Sequence, residues 1–235
     1  MSPEQSDRPR VMMAWSSGKD SAWALHQLRQ AGCYDIQVLL TTLNAAFDRV
    51  AMHAVRHACL LRQAQAVGLP LIPVMLPWPC SNDAYEAAMS EALQVARHQY
   101  GITHVAFGDL YLEDIRRYRE DRLAGTGLEP LFPLWGRNTG ELAEEMIAAG
   151  LKARITCLDP QHLPMAMAGR SFDRAFLAEL PGTVDPCGEQ GEFHTFVHDG
   201  PMFAQSVPIQ VGPTVERDGF VFADLVCGDT AHDGD

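Results

Sequence analysis

Short apolar runs alternate with longer amphipathic segments through the first half of this chain, and that alternation constrains its fold more than any other feature. VMMAW (Val11–Trp15), IQVLLTTL (Ile36–Leu43), LIPVML (Leu71–Leu76) and THVAF (Thr103–Phe107) have strand length, and near-continuous apolar character suits strands covered on both faces. Between them lie three helical patterns, each followed by a glycine stop. Ser21–Ala31 places Ala22, Leu25 and Leu28 on one face before Gly32, Val50–Val67 ends at Gly68 and Pro70, and Asp83–Tyr100 ends at Gly101. Strands separated by helices of this length predict an α/β fold, a parallel sheet with helices on both faces. Pro73 puts the third run at an edge. Right-handed crossovers bring every strand-to-helix loop to one edge of the sheet, where ligands bind at the point of reversed strand order.

The pattern changes after about residue 125. LEPLFPL (Leu128–Leu134) is interrupted by prolines, Glu141–Ala149 reads as a helix, Leu151–Leu158 as a strand, Phe172–Leu180 as a short helix and GFVFADLVCG (Gly219–Gly228) as β structure. The expected organisation is a disordered terminus over 1–9, an α/β domain over 10–125, a smaller α+β domain over 126–227 and a flexible tail over 228–235. A formal charge of -12 argues against general nucleic-acid binding, which needs a basic footprint. The polar start MSPEQSDRPR has no apolar core of a signal peptide, and no apolar run reaches a membrane span of about 20 residues. The six cysteines include no CxxC pair, which reads as reduced thiols of a cytoplasmic protein. Met12, Met13, Trp15 and Trp23 read as core.

The loop between the first strand and first helix is Ser16-Ser17-Gly18-Lys19-Asp20-Ser21. It is no Walker A motif, since Asp20 follows Gly18-Lys19 where Ser or Thr must hold a metal, and Met13 stands where the first glycine belongs. One glycine also excludes GxGxxG. What remains is a small-residue turn entering a helix, whose successive N–H groups form an anion site reinforced by the helix dipole, with Asp20 and Ser21 as candidate caps. A second chemistry-bearing stretch, DPCGEQGEFHTFVHDGPMF (Asp185–Phe203), displays Asp185, Glu189, Glu192, His194, His198 and Asp199 on a glycine-punctuated loop. Those side chains suit metal ligation, amine activation or plain solvation. Zinc is disfavoured because no His-x₃-His helix or Cys pair accompanies them.

The first stretch resembles the SGGxDS signature of PP-loop ATP pyrophosphatases, with Ser17 in place of the usual first glycine. The second resembles the GENGEFHT signature of the diphthine–ammonia ligase family, with Gln190 in place of Asn. Met52-His53, Phe107-Gly108-Asp109 with the charged helix behind it, Pro133-Leu134-Trp135 and Gly169-Arg170 are similar to further segments of that family, in the same order along the chain. The resemblance implies a five-stranded parallel PP-loop domain followed by a smaller domain carrying the GEFHT-like loop. It implies an AMP-forming ligase that uses ATP and Mg²⁺ to adenylate a small-molecule or protein-borne carboxylate and then transfers ammonia or a small amine. On that basis Ser16, Ser17, Gly18, Asp20, Ser21, Thr41, His53 and Gly108 would bind ATP, and Asp109, Arg116 and Thr195 would contact substrate, Asp109 also serving the metal. Lys19, Asp20, Glu189, Glu192 and His194 would act in catalysis, either glutamate being the base. A homodimer is compatible with this reading. A nucleotide sensor without chemistry and a plain ATP α-hydrolase are the rival readings. The rival readings of these residues are a helix cap for Asp109 and, for Arg116, Arg117, Arg119 and Arg122, a solvated face paired with neighbouring acids.

Overall fold

The computed structural model describes residues 8–50 and 53–228. The calls on the first residues of the chain, on Met52 and on the tail beyond residue 228 fall outside them. The order of elements is β1 (Arg10–Ala14), α1 (Lys19–Ala31), β2 (Asp35–Asn44), β3 (Arg49–Val50), α2 (His57–Val67), β4 (Leu71–Leu76), α3 (Asn82–Tyr100), β5 (His104–Ala106), α4 (Glu113–Leu123) and β6 (Glu129–Leu131). Then come α5 (Thr139–Ala148), β7 (Lys152–Leu158), α6 (Arg174–Ala178), β8 (Phe193–Asp199), β9 (Ile209–Arg217) and β10 (Phe220–Cys227).

Five parallel strands stand in the order β4–β2–β1–β5–β6, and the short β3 pairs antiparallel with the last residues of β2. The chain steps outward from β1 to β2 and β4, then crosses back to β5. Strand order therefore reverses beside β1, and the 15–18 loop lies at that switch point. Alternate residues of β1 serve opposite cores, as a strand buried on both faces requires. Val11, Met13 and Trp15 pack with Leu25 of α1 and Leu60 of α2, whereas Met12 packs with Val38, Leu40 and Val105 against Ala92 and Ala96 of α3.

The second sheet is antiparallel, in the order β8–β7–β10–β9. It lies on the α1–α2 side, and Ile155, Phe196 and Val221 share one continuous core with Leu25 and Leu60. The loop before β8 is thereby brought to the carboxyl edge of the parallel sheet.

Three expectations are corrected. The expected helix does not start at Val50, which ends β3; among the described residues Ala54 sits in a turn at φ +53° and α2 begins at His57. The proline-interrupted stretch supplies the fifth parallel strand, so the sheet continues past residue 125, with Pro130 on the outermost strand, where a missing N–H is tolerated. The cysteines are not all reduced: Cys59 and Cys227 form a disulfide, because α2 packs against β10 and brings their Cα atoms within 5.4 Å across 168 residues of sequence.

Candidate active site

The helix that opens the site has an unusual start. Gly18 is the N-cap of α1 and supplies no side-chain cap, so the Asp20 and Ser21 N–H groups are not bonded by the side chain that normally serves positions N2 and N3. Asp20 and Ser21 do not cap it either; the Ser21 hydroxyl donates back to the Gly18 carbonyl at 3.0 Å and lies 3.1 Å from Ser16 Oγ. The Lys19 N–H finds its acceptor far away in sequence, donating to Thr195 Oγ1 of β8 at 3.0 Å. Ser17 sits at φ +70° and is fully buried. The start of α1 thus carries no side-chain cap and is joined to the second sheet through Thr195.

A cavity of about 680 Å³ opens at this point. Ser16, Lys19, Asp20 and Ser21 form one wall, Gly108 and Asp109 a second, and Glu189, His194 and Thr195 a third. Thr41 and His53 also face it, and Met12, Leu40, Met89 and Val105 make an apolar recess between the sheet and α3. Gly108 is required by close approach, since a Cβ there would lie 2.8 Å from the Asp20 carbonyl carbon and the Ser21 nitrogen. Thr41 is fixed by donating to the Trp15 carbonyl at 2.6 Å.

Lys19 is 2% exposed. Its ammonium donates to both Asp20 oxygens, at 3.0 and 2.9 Å, and to the Cys187 carbonyl, and lies 5.7 and 5.4 Å from the Phe172 and Phe193 ring centroids. Burial opposes its charge, but Asp20 and neighbouring negative groups outweigh burial and raise its pKa above the ordinary lysine value. Burial raises the Asp20 pKa, against the pull of Lys19. Cys187 is no nucleophile: burial pushes its thiol up to about 12.

The acidic loop divides its carboxylates sharply. Asp185 accepts from the Cys187 N–H at 2.8 Å and the Thr139 hydroxyl at 2.8 Å. Glu192, 3% exposed, accepts from the Asp185 N–H at 2.9 Å with one oxygen and from the Gln190 N–H at 3.0 Å with the other. Glu192 stitches the loop to itself, and Asp185 does so while also tying it to α5. Glu189 is the carboxylate of this loop that lines the cavity, anchored through Oε1 by the Leu110 N–H at 2.7 Å. Burial pushes its pKa up to about 7, helped by the negative charges of Asp20 and Asp109 and resisted by the Leu110 and Tyr111 amides.

His53 and His194 stack with ring centroids 4.6 Å apart, and His53 Nδ1 lies 3.1 Å from the Thr195 carbonyl. Burial lowers the first to about 4, and burial with the charges of His53 and Lys19 lowers the second to about 3. Both rings are neutral at pH 7.

Arg116 is not brought to the cavity. It packs over Phe132 and Trp135, 4.9 and 4.7 Å from their centroids, and pairs with Glu120. Arg119, which pairs with Asp109 at 3.4 Å, and Arg122 line the cavity instead. Sequence reasoning also missed Gln63. The signal was present, a polar side chain within the buried stripe Cys59, Leu60, Ala64 and Val67 of α2.

The diphthamide synthase N-terminal domain profile matches residues 9–129, and the diphthamide synthase C-terminal domain profile matches residues 138–222. A diphthine–ammonia ligase of Danio rerio is 31% identical over 238 residues, covering 91% of this chain and 91% of the relative. Those of Bos taurus and Homo sapiens are each 29% identical, over 245 and 243 residues, covering 91% of this chain and 88% of theirs. Two family profiles in chain order and relatives of matching length leave one conclusion: the chain belongs to the diphthamide synthase family.

Proposed function

We propose that this protein is an ATP-dependent ligase that converts a carboxylate into an amide by way of an acyl-adenylate. The observation that carries the proposal is the position of Glu189, a carboxylate with a pKa near 7, across one cavity from the uncapped α1 terminus. In this reading the 16–21 amides receive the β and γ phosphates and the recess beside Met12, Leu40 and Val105 receives the adenine. Asp20 and Asp109 offer the hard oxygen donors that suit Mg²⁺ arriving on a nucleotide, and the ion would neutralise phosphate charge.

A substrate carboxylate oxygen bonds to the α phosphorus as the bond to the β-phosphate oxygen breaks, releasing pyrophosphate. Lys19 stands beside the loop as a positive charge for the departing group. Ammonia then attacks the acyl carbon, the acyl–oxygen bond to AMP breaks, and Glu189 accepts the proton lost by nitrogen. Glu192 has no part in that transfer because both of its oxygens are committed to loop amides. Neutral His194 and His53 line the site without adding charge to it. The relatives' name makes diphthine the first carboxylate to try.

The test is incubation with Mg-ATP, ammonium chloride and a diphthine-bearing protein or a panel of simple carboxylates. AMP, pyrophosphate and amide in equal amounts are expected. AMP without amide under every condition would favour the α-hydrolase, and binding without turnover would favour the sensor.

A further inference from the structure

Gln63 is fully buried, and its amide joins three parts of the site. Oε1 accepts from the Trp15 indole at 2.7 Å, and Nε2 donates to the Ser17 carbonyl at 2.9 Å and the Val197 carbonyl at 2.6 Å. An indole N–H only donates and a backbone carbonyl only accepts, so these partners fix which way the amide lies. The end of β1, the phosphate loop and β8 are thereby tied to one group on α2.

The Ser17 contact has the most consequence. Ser17 holds a left-handed backbone conformation that is costly for a residue with a Cβ. Its carbonyl takes two donors, Gln63 Nε2 and the Val197 N–H at 3.0 Å. In a trans peptide the carbonyl and the next N–H point in opposite directions. Holding the Ser17 carbonyl toward α2 and β8 therefore sets the direction of the Gly18 N–H, which lies on the other side with Ser16 Oγ 3.3 Å away. Without Gln63 this peptide keeps one donor against its strain. Val197 follows His194 and Thr195 along β8, so the same amide also sets the distance between the 16–21 loop and the wall opposite it.

We infer that Gln63 is a positioning residue for the reaction: it holds the Ser17–Gly18 peptide and β8 in one register, so that the phosphate loop and the acid loop meet across the cavity. This rests on the reading of loop 16–21 as the ATP-phosphate site. Gln63 touches no reacting atom in that reading, and its effect passes through the loop.

The experiment compares Gln63→Glu and Gln63→Leu with Leu60→Ala, a core truncation on the same helix, in the full-length protein. Two quantities are read: hydrogen exchange of the 15–19 amides without nucleotide, and kcat and KM for ATP in pyrophosphate release. The Gln63 variants are expected to exchange the loop amides about tenfold faster and to lose kcat by about 10- to 100-fold, as small misplacements of reacting groups do. Leu60→Ala is expected to lower Tm while leaving loop exchange and kcat within about twofold, because it adds a core cavity but removes none of the three hydrogen bonds made by Gln63. Gln63 variants that lose Tm like Leu60→Ala yet keep loop exchange and kcat would overturn the inference. Exchange decides the positioning claim even if native protein shows no turnover, a result that would count against the proposed function alone. Should neither Gln63 variant fold, Trp15→Phe deletes only the indole arm; faster loop exchange supports the inference and unchanged exchange refutes it.

Discussion

The 15–18 loop and the 185–192 loop face one cavity, yet the first is organised from outside and the second from within. The first takes its restraints from Gln63, Val197 and Thr195, residues of α2 and β8, and leaves its helix start without a side-chain cap. The acid loop uses its own Asp185 and Glu192 as acceptors for its amides and, of these three carboxylates, turns Glu189 to the cavity. The difference teaches that acids crowded in one motif are not interchangeable. Two of these three are consumed in building the loop, and the third keeps a pKa suited to moving a proton at neutral pH.

Glu189→Gln breaks that comparison most severely. Amide formation should fall by about 100- to 1000-fold while ATP binding survives, as loss of a proton acceptor predicts. The native rate should rise with pH through about 7 as Glu189 loses its proton, and the variant should lack that inflection. An unchanged profile would exclude Glu189 as the base.

Glu192→Ala tests the other side of the division. It strands two amides and should cost about 1–3 kcal/mol for each, read as a lower Tm. The pH inflection should persist in whatever activity remains, and its disappearance would transfer the catalytic role to Glu192.

Gly108→Ala probes the junction of the two walls. Its Cβ would meet α1 backbone at 2.8 Å, which no rotamer relieves. Overpacking of this kind costs about 1–3 kcal/mol, so the Kd for nucleotide should rise about tenfold; titration with a fluorescent ATP analogue measures it.

The histidine pair acts on stability in acid and leaves the rate at neutral pH untouched. His53 and His194 are held neutral in the folded protein, with pKa values near 4 and 3, whereas an unfolded histidine titrates near 6.5. Between about 6.5 and 4 the unfolded chain binds more protons, so stability must fall as pH falls through that window. Urea unfolding of His53→Gln with His194→Asn should show a flatter acid limb than native protein.

Much of this was legible in the sequence because it is local. The alternation of VMMAW, IQVLLTTL, LIPVML and THVAF with helical patterns carries the parallel sheet, and the small-residue turn at 16–21 marks the edge where the cavity opens. The residue order also marked Asp185–Thr195 as chemical. What it could not separate was Glu189 from Glu192, since their roles depend on which amides the fold brings within reach. LEPLFPL concealed a strand because Pro130 is tolerated only at the outer position that tertiary structure gives it. The Cys59–Cys227 pair and the Thr195 contact to Lys19 span 168 and 176 residues, and no local pattern reports them. Arg116 and Arg119 differ by less than one helical turn, and only the packing of α4 decides which of them meets the cavity.

The central claim is that the 16–21 loop presents ATP for cleavage between its α and β phosphates. Chromatography of the products formed from α-³²P-labelled ATP, with Mg²⁺, ammonium and a diphthine-bearing protein, tests it most directly. Label in AMP, with matching pyrophosphate and its loss in Glu189→Gln limited to amide formation, is the predicted result. Label in ADP, with free phosphate, would contradict the account.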